Sequence, residues 1–256
     1  MLELPTVTLF CIDTRSPALA RRSLMKSQRH VRFASTVFLG PRDIEPLNSL
    51  LEYSEFMLKE LADYIDTPHV LVTQWDGYVC NPAAWSPAFL QYDYIGAPWP
   101  SGEIGNGGFS LRSSKLLQAT RAPDVSLTGN EDSVICTTHR ALLESRGIRF
   151  APLDTARRFS FEMDYGPIFK GQQPFGFHGL YNLPFFESEA DLIALMRLIP
   201  DDIASTAACL SLLKHTFELS AKTPAKKWAA VRAIGERILA ATDNPEAREI
   251  LDRSSL

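Results

Sequence analysis

The residues of this sequence best suited to chemistry begin in a stretch that starts at Val70. Residues 70–75 are mostly apolar and β-branched, and Asp76 and Gly77 follow them. A buried parallel strand has this composition, and it delivers the next residue to the C-terminal edge of the sheet, where open α/β sheets bind ligands. Asp76 is therefore a candidate for binding or catalysis, with a simple turn-forming role as the alternative.

A glycine-rich segment follows at Gly105-Asn106-Gly107-Gly108. Three glycines and an asparagine in four positions allow positive φ angles and leave room for a ligand against the backbone. A carboxylate at a strand end, combined with such a loop, predicts a site for a metal ion and a phosphate.

Three further residues could complete this site. Glu131 and Asp132 stand near the start of a helix predicted over residues 129–146, where the helix dipole favours a carboxylate. Beside a metal–phosphate site, an acid here could act as a general base, although adjacent acids at a helix start often serve only as caps. His178 lies in a loop rich in glycine and aromatic residues. A neutral imidazole suits a divalent metal, and a structural histidine is the alternative.

The elements that must position these residues alternate between strand and helix. Strands are predicted over residues 6–12, 35–39 and 69–75, and helices over residues 17–30 and 54–65. This order predicts an α/β fold with a mainly parallel sheet and right-handed crossovers. The first helix has a basic face, which is either simply solvated or, through Arg15 and its neighbours, a contact for a nucleotide diphosphate.

After Glu187 the composition changes, because glycine almost disappears and a helical pattern continues to the end. Three or four short helices are predicted over residues 188–253, with N-caps at Ser188, Thr223 and Asn244. We expect two domains, namely residues 1–187 with the candidate site and a helical extension over residues 188–256. The extension either serves oligomerisation or covers the first domain.

The overall composition is that of a soluble globular protein. The chain has 256 residues, 45% of them hydrophobic, and its net charge of -4 argues against nucleic acid as a partner. Four scattered cysteines without a CxxC spacing indicate reduced thiols. The sequence shows no signal-peptide pattern and no apolar run long enough to span a bilayer. We therefore expect a cytoplasmic protein, with peripheral association with a membrane left open.

The order of the motifs resembles that of GT-A-type glycosyltransferases. These enzymes have a Rossmann-like nucleotide-binding half, a DxD motif at a strand end, a glycine-rich loop, an xED motif at a helix start and a late metal-binding histidine. Gln74-Trp75-Asp76 is similar to DxD with glutamine as its first residue, residues 104–112 to the glycine loop, Asn130-Glu131-Asp132 to xED, and His178 to the histidine.

The motifs QWDG, YDYIGAPW and GNGGFSLRS resemble more closely the signature of a family defined only as a domain of unknown function and grouped with these transferases. The resemblance covers residues 4–183 and leaves the helical extension outside. It implies a GT-A-like fold, in which a mixed, mainly parallel sheet is flanked by helices.

For the donor, the resemblance implies a nucleotide-sugar, with a UDP-sugar as the first expectation. Asp76 and His178 would hold Mn²⁺ or Mg²⁺ on the diphosphate, where the ion neutralises charge on the departing nucleotide. Gln74 removes one of the usual acids, which puts the metal dependence in question. The further residues expected to contact or border the donor are Asp13, Arg15, Asn106, Gly107 and Gly108.

For the acceptor, the resemblance implies that Asp132 deprotonates a hydroxyl group as it attacks the anomeric carbon, which predicts inversion. Glu131 would orient that acceptor, which is a glycan, a lipid-linked sugar or a protein. Two other classes of protein share these residues. A non-catalytic module that holds a nucleotide-sugar or glycan is favoured by Gln74, whereas a metal-dependent phosphohydrolase usually needs more acids and histidines.

Overall fold

The computed structural model describes residues 1–163, 173–224 and 226–254. The chain divides into two compact units, Met1–His178 and Gly179–Leu256. The boundary lies earlier than the one predicted after Glu187. Residues just after His178 belong to the second unit, where His215 Nδ1 lies 2.8 Å from the carbonyl oxygen of Tyr181.

Two sheets form the strand framework of the first unit over the described residues. The larger consists of β1 (Leu2–Ile12), β2 (Val31–Leu39), β3 (His69–Thr73), β5 (Tyr94–Ile95) and β6 (Phe109–Ser113), and the smaller of β4 (Tyr78–Val79), β7 (Ser160–Phe161) and β8 (Gly176–Phe177). Their strand orders are β2-β1-β3-β6-β5 and β4-β8-β7. In the larger sheet β1 pairs in parallel with β2 and β3, and β6 runs antiparallel to β3 and β5. Only β6 therefore opposes the other strands, which confirms the mixed, mainly parallel sheet.

The helices of the first unit follow the predicted order with shifted ends. They are α1 (Pro17–Gln28), α2 (Leu50–Lys59), α3 (Ser114–Thr120), α4 (Glu131–Ser133), α5 (Arg140–Ser145) and α6 (Leu153–Phe159). Helix α2 begins before the predicted residue 54, because Ser49 caps it by accepting the N–H of Glu52 (3.1 Å). Ser54 Oγ instead accepts the N–H of Glu131 (3.2 Å). The predicted helix over residues 129–146 is interrupted by a π-helical turn, Val134–Thr138.

Alternate residues of β1 enter two separate hydrophobic clusters. Leu9 belongs to the cluster that contains Leu24 of α1, and Phe10 belongs to the cluster that contains Phe56 of α2. The two helices therefore cover opposite faces of the sheet, and β1 is apolar throughout its second half because both of its faces are buried. The chain leaves β1 towards β2 and returns on the other side to β3. A crevice is expected beyond the C-terminal ends of β1 and β3, where these connections diverge.

The second unit is helical. Its helices are α7 (Leu183–Phe186), α8 (Glu189–Met196), α9 (Asp201–Ala204), α10 (Ala207–Lys222), α11 (Trp228–Ala241) and α12 (Pro245–Ser254). Five of these helices, counted over the described residues, follow Ser188, where three or four were predicted, because Pro200 precedes the additional short helix α9. No helix within the described ranges is both long and apolar enough to cross a membrane.

Two of the three predicted N-caps in this unit are confirmed. Ser188 Oγ accepts the N–H of Asp191 (3.1 Å), and Asn244 Oδ1 accepts the N–H of Ala247 (2.9 Å). The predicted cap at Thr223 is wrong, since this residue ends α10. Its N–H donates to the carbonyl oxygen of Leu219 (3.0 Å), which continues the hydrogen-bonding pattern of the preceding helix.

Candidate functional site

A pocket of about 350 Å³ opens beyond the C-terminal ends of β1 and β3. Its lining consists of residues 12–15, residues 47–50, Tyr53, Gln74 and Trp75. The pocket thus occupies the crevice at which connections to α1 and α2 diverge, the usual ligand position in open α/β sheets. Its volume lies in the range of small-molecule sites.

Asp13 and Arg15 both line this pocket. Asp13 Oδ1 accepts the N–H groups of Arg15 (2.9 Å) and Ser16 (2.6 Å) and so closes the turn before α1. Arg15 is exposed. Both residues therefore lie in the pocket wall, which the Asp13 carboxylate helps to shape, and their contact with a donor stays a prediction.

The turn after β3 carries Gln74 and Asp76. Thr73 Oγ1 donates to the carbonyl oxygen of Gly77 (2.7 Å), which closes the turn. The N–H of Gln74 donates to the carbonyl oxygen of Gly108 (2.8 Å). These bonds fix the end of β3 against the glycine loop, so two motifs separated by about thirty residues in sequence become neighbours.

His178 lies where these segments meet. Its Nε2 atom is 3.0 Å from Gln74 Oε1 and 3.2 Å from Asp76 Oδ1. Its Nδ1 atom is 3.1 Å from Asn106 Nδ2 and 3.3 Å from Glu162 Oε1. Burial opposes a charge on this imidazole, but the Asp76 carboxylate, together with that of Glu162, raises the pKa of His178 to about 10.

The side-chain atoms at this junction that could hold a divalent cation are Gln74 Oε1, Asp76 Oδ1 and His178 Nε2. Both oxygens lie close to the nitrogen, at 3.0 and 3.2 Å. Amide and carboxylate oxygens suit Mg²⁺ and Mn²⁺. Within the described ranges no three His, Cys, Asp or Glu side chains form a metal-binding group. A cation here would therefore depend on the amide oxygen of Gln74.

The glycine loop packs directly against these groups. Asn106 has a φ of 31°, and its Oδ1 accepts the N–H of Gly108 (3.2 Å). A Cβ atom on Gly108 would lie 2.2 Å from His178 Nε2. The N–H of Gly107 donates to Asp132 Oδ2 (3.3 Å). The loop thus joins the histidine to the acid at the start of α4.

The two acids at the start of α4 have different environments. Glu131 is buried, and its Oε1 accepts a hydrogen bond from Arg112 Nη2 (3.0 Å), with 0% of the arginine side chain and 5% of the glutamate side chain exposed. Burial raises the pKa of Glu131, while the Arg112 guanidinium acts in the opposite direction. Asp132 is partly exposed, and its Oδ1 accepts the N–H of Ser133 (2.7 Å). Asp132 is therefore the more accessible acid, whereas Glu131 faces Arg112, and neither of the two lines the pocket.

Sequence reasoning missed three residues of this region. Arg112 was considered only as the last residue of the segment that resembles the glycine loop, although a charged residue within an apolar strand is itself a sign that a buried partner exists. Tyr53 lines the pocket but lay just outside the predicted helix. Glu162 gave no usable signal, because its contact with His178 depends on the pairing of two short strands.

Comparisons with solved structures find similarities that include the following two, while no curated protein matches the sequence. One is to a glycosyltransferase involved in the glycosylation of the major capsid of PBCV-1, with 14% identity and a TM-score of 0.46, covering 68% of this chain and 92% of that one. The other is to the mannosyltransferase PcManGT from Pyrobaculum calidifontis in complex with GDP-Man and Mn²⁺, with 10% identity and a TM-score of 0.42, covering 98% of this chain and 81% of that one.

A family profile also matches this chain. The profile is described as "Protein of unknown function (DUF5672)", and it matches residues 40–178. This range contains the turn after β3, the glycine loop, both acids of α4 and His178. Because the match spans more than half of the chain, the protein belongs to the DUF5672 family.

Proposed function

We propose that this protein is a glycosyltransferase that uses a divalent cation, Mn²⁺ or Mg²⁺, and a nucleotide-sugar donor, with UDP-sugars as the first donors to test. One observation carries the proposal. Gln74 lines the pocket at the sheet edge and also contacts His178, so a single side chain joins a ligand-sized cavity to a candidate cation site.

The donor would occupy the pocket and extend towards His178. The nucleoside would lie near Asp13 and Arg15, which line the cavity, and the diphosphate near Gln74 and Asp76. A divalent cation held by Gln74, Asp76 and His178 would supply positive charge to the diphosphate. Asn106, Gly107 and Gly108 would border the sugar.

The acceptor would meet Asp132. In the proposed reaction Asp132 takes the proton of an acceptor hydroxyl, and the hydroxyl oxygen bonds to the anomeric carbon as the bond from that carbon to the diphosphate oxygen breaks. The products are an inverted glycoside and a nucleoside diphosphate. Hydrogen bonds from Gly107 and Ser133 orient the Asp132 carboxylate for this task. Glu131, predicted to orient the acceptor, is instead assigned to holding Arg112.

The first prediction concerns Asp132→Asn, which removes the base and keeps the side-chain shape. With donors of UDP, GDP and CMP presented with Mn²⁺ and a panel of glycan, lipid-linked and protein acceptors, wild type should release nucleotide. Asp132→Asn should release it about 10²- to 10⁴-fold more slowly, with nucleotide affinity unchanged. The exposed Asp154→Asn is the matched control. Full activity in Asp132→Asn would reject its assignment as base.

A second candidate function is a non-catalytic module that holds a nucleotide-sugar or glycan. Gln74 in place of an acid favours it, because one fewer negative charge weakens cation binding. The same donor panel separates the two functions. A module should bind a nucleotide without releasing product from any donor, whereas the transferase should turn over at least one.

We further propose a cytoplasmic location for this activity. Cys11, Cys80, Cys136 and Cys209, all of them in the described part of the chain, are free thiols. Free thiols are usual in reducing compartments. The acceptor, whether a glycan, a lipid-linked sugar or a protein hydroxyl, would then be presented on that side of the membrane.

A further inference from the structure

Glu162 and His178 are placed side by side by two short parallel strands. Strand β7 pairs with β8 in the register Ser160↔Gly176 and Phe161↔Phe177. Each strand is followed at once by one of the two residues, and the N–H of His178 donates to the carbonyl oxygen of Phe161 (2.9 Å). The strand pairing therefore fixes the position of the glutamate relative to the imidazole.

The two nitrogens of His178 face different chemical groups. Nε2 faces the oxygens of Gln74 and Asp76, at 3.0 and 3.2 Å. Nδ1 faces Glu162 Oε1 at 3.3 Å. The side chains of His178 and Glu162 are 15% and 14% exposed, so water competes little for this contact.

A cation at Nε2 would displace the proton of that nitrogen, so the one imidazole proton that remains must be on Nδ1. A carboxylate that accepts the Nδ1–H selects this tautomer, and such partners raise the basicity of metal-binding histidines. Asn106 favours the opposite arrangement, because its Nδ2 atom is 3.1 Å from Nδ1 and its Oδ1 is engaged by Gly108 N–H. A hydrogen bond to a charged carboxylate is stronger than one from a neutral amide, so Glu162 should prevail.

We propose that Glu162 is a positioning residue that holds the Nδ1–H of His178 and leaves Nε2 available to a divalent cation. This inference rests on the proposed cation site of the transferase. Glu162 would not touch the cation itself, and it would act only through the orientation and tautomer of the imidazole.

The test is a double-mutant cycle on cation affinity. Mn²⁺ dissociation constants are measured by electron paramagnetic resonance for wild type, Glu162→Gln, His178→Asn and the double variant, each with and without UDP. Glu162→Gln should weaken Mn²⁺ binding about 10- to 100-fold. The same change in the His178→Asn background should have no further effect, because the residue acts through the imidazole. The exposed Glu60→Gln is the control and should bind as wild type does.

The possible results have distinct meanings. Wild-type affinity in Glu162→Gln would overturn this inference and leave the transferase proposal standing. An equal loss in both backgrounds would also overturn it, because the glutamate would then act on the cation directly. Absence of Mn²⁺ binding to the wild type would overturn both proposals. If Glu162→Gln does not fold, Glu162→Asp takes its place. This variant keeps the negative charge but moves the carboxylate oxygen away from Nδ1, so its Mn²⁺ affinity should lie between those expected for wild type and Glu162→Gln.

Discussion

At the scale of single residues, the glycines of the loop are required by the side chains of the protein itself. A Cβ on Gly108 would lie 2.2 Å from His178 Nε2, and a Cβ on Gly107 would lie 2.2 Å from Glu131 Oε1. The sequence predicted room for a ligand at these positions. The structure shows that much of this room is filled by His178 and Glu131, so the packing of the protein itself requires these glycines.

Gly108→Ala should therefore destabilise the protein, because the added methyl group must displace an imidazole that contacts Gln74, Asp76 and Asn106. Overpacking of this kind costs about 1–3 kcal/mol. Gly129→Ala is the matched control, since a Cβ there meets nothing within 4 Å. Urea unfolding measures both. Equal stabilities for the two variants would show that the histidine can move away freely.

The sequence pointed to several residues that are neighbours in the structure, and their roles in binding and catalysis stay predictions. Asp76, Asn106, Gly108 and His178 come together as the motif order implied. Glu162 was not predictable, because its proximity to the histidine depends on the pairing of two strands of only two residues each, β7 and β8. A buried residue of this kind becomes visible only when the fold is known.

At the scale of elements, the Arg112–Glu131 pair connects β6 to the start of α4. Arg112 also donates from Nη2 to the carbonyl oxygen of Gly107 (3.3 Å) and from Nε to Ser110 Oγ (3.0 Å). One buried cation thus holds the glycine loop and the acid-bearing helix in a fixed relation. Buried pairs of this type are costly to break because the remaining charge has no partner.

Arg112→Met should cost about 3–5 kcal/mol, since it leaves Glu131 buried without its cation. Adding Glu131→Leu should restore part of this loss, because the double variant contains no buried charge. Chemical denaturation of both single variants and the double variant gives the coupling. Strictly additive losses would mean that the two side chains do not act as a pair.

His69, the first residue of β3, should make the stability of the folded protein depend on pH. Burial lowers the pKa of His69 below 6.5, and its Nδ1 atom has no hydrogen-bond partner among the described residues. The unfolded chain takes up a proton on this residue near pH 6.5, whereas the folded state takes it up only at a lower pH. His69 therefore does not lower the free energy of unfolding above pH 6.5, and it lowers this free energy as pH falls below 6.5.

The expected result is a smaller loss of stability in His69→Gln than in wild type when pH is lowered from 7.5 to 5.0. Urea midpoints at the two pH values measure this difference. His30→Gln changes an exposed histidine and should behave as wild type does. A wild-type pH response in His69→Gln would show that other groups cause the acid sensitivity.

The prediction of elements was accurate where burial on both faces leaves a continuous apolar strand, as in β1 and β3. It was less accurate for α2, because Ser49 rather than Ser54 caps that helix and Ser54 forms a bond to Glu131. The π-helical turn at Val134–Thr138 has no pattern in the sequence that would reveal it. These differences arise from tertiary hydrogen bonds, which local periodicity does not contain.

At the scale of the whole molecule, the chain consists of a site-bearing α/β unit and a helical unit, each described by itself. Within the helical unit, Lys227 Nζ donates to the carbonyl oxygens of Pro184 (2.6 Å) and Glu187 (2.5 Å) and so satisfies groups at the end of α7. The role of this unit in oligomerisation stays a prediction, which the mass of the protein in solution tests.

The proposed function requires that the pocket and the His178 junction together bind a nucleoside diphosphate and a divalent cation. It is tested most directly by thermal unfolding with UDP, GDP and CMP, each with and without Mn²⁺. We predict that a nucleoside diphosphate raises the unfolding temperature only when Mn²⁺ is present. At a nucleotide concentration of 100 times its Kd, this rise corresponds to a gain of about 2.7 kcal/mol in the free energy of unfolding. No rise with any nucleotide, with or without Mn²⁺, would contradict the account.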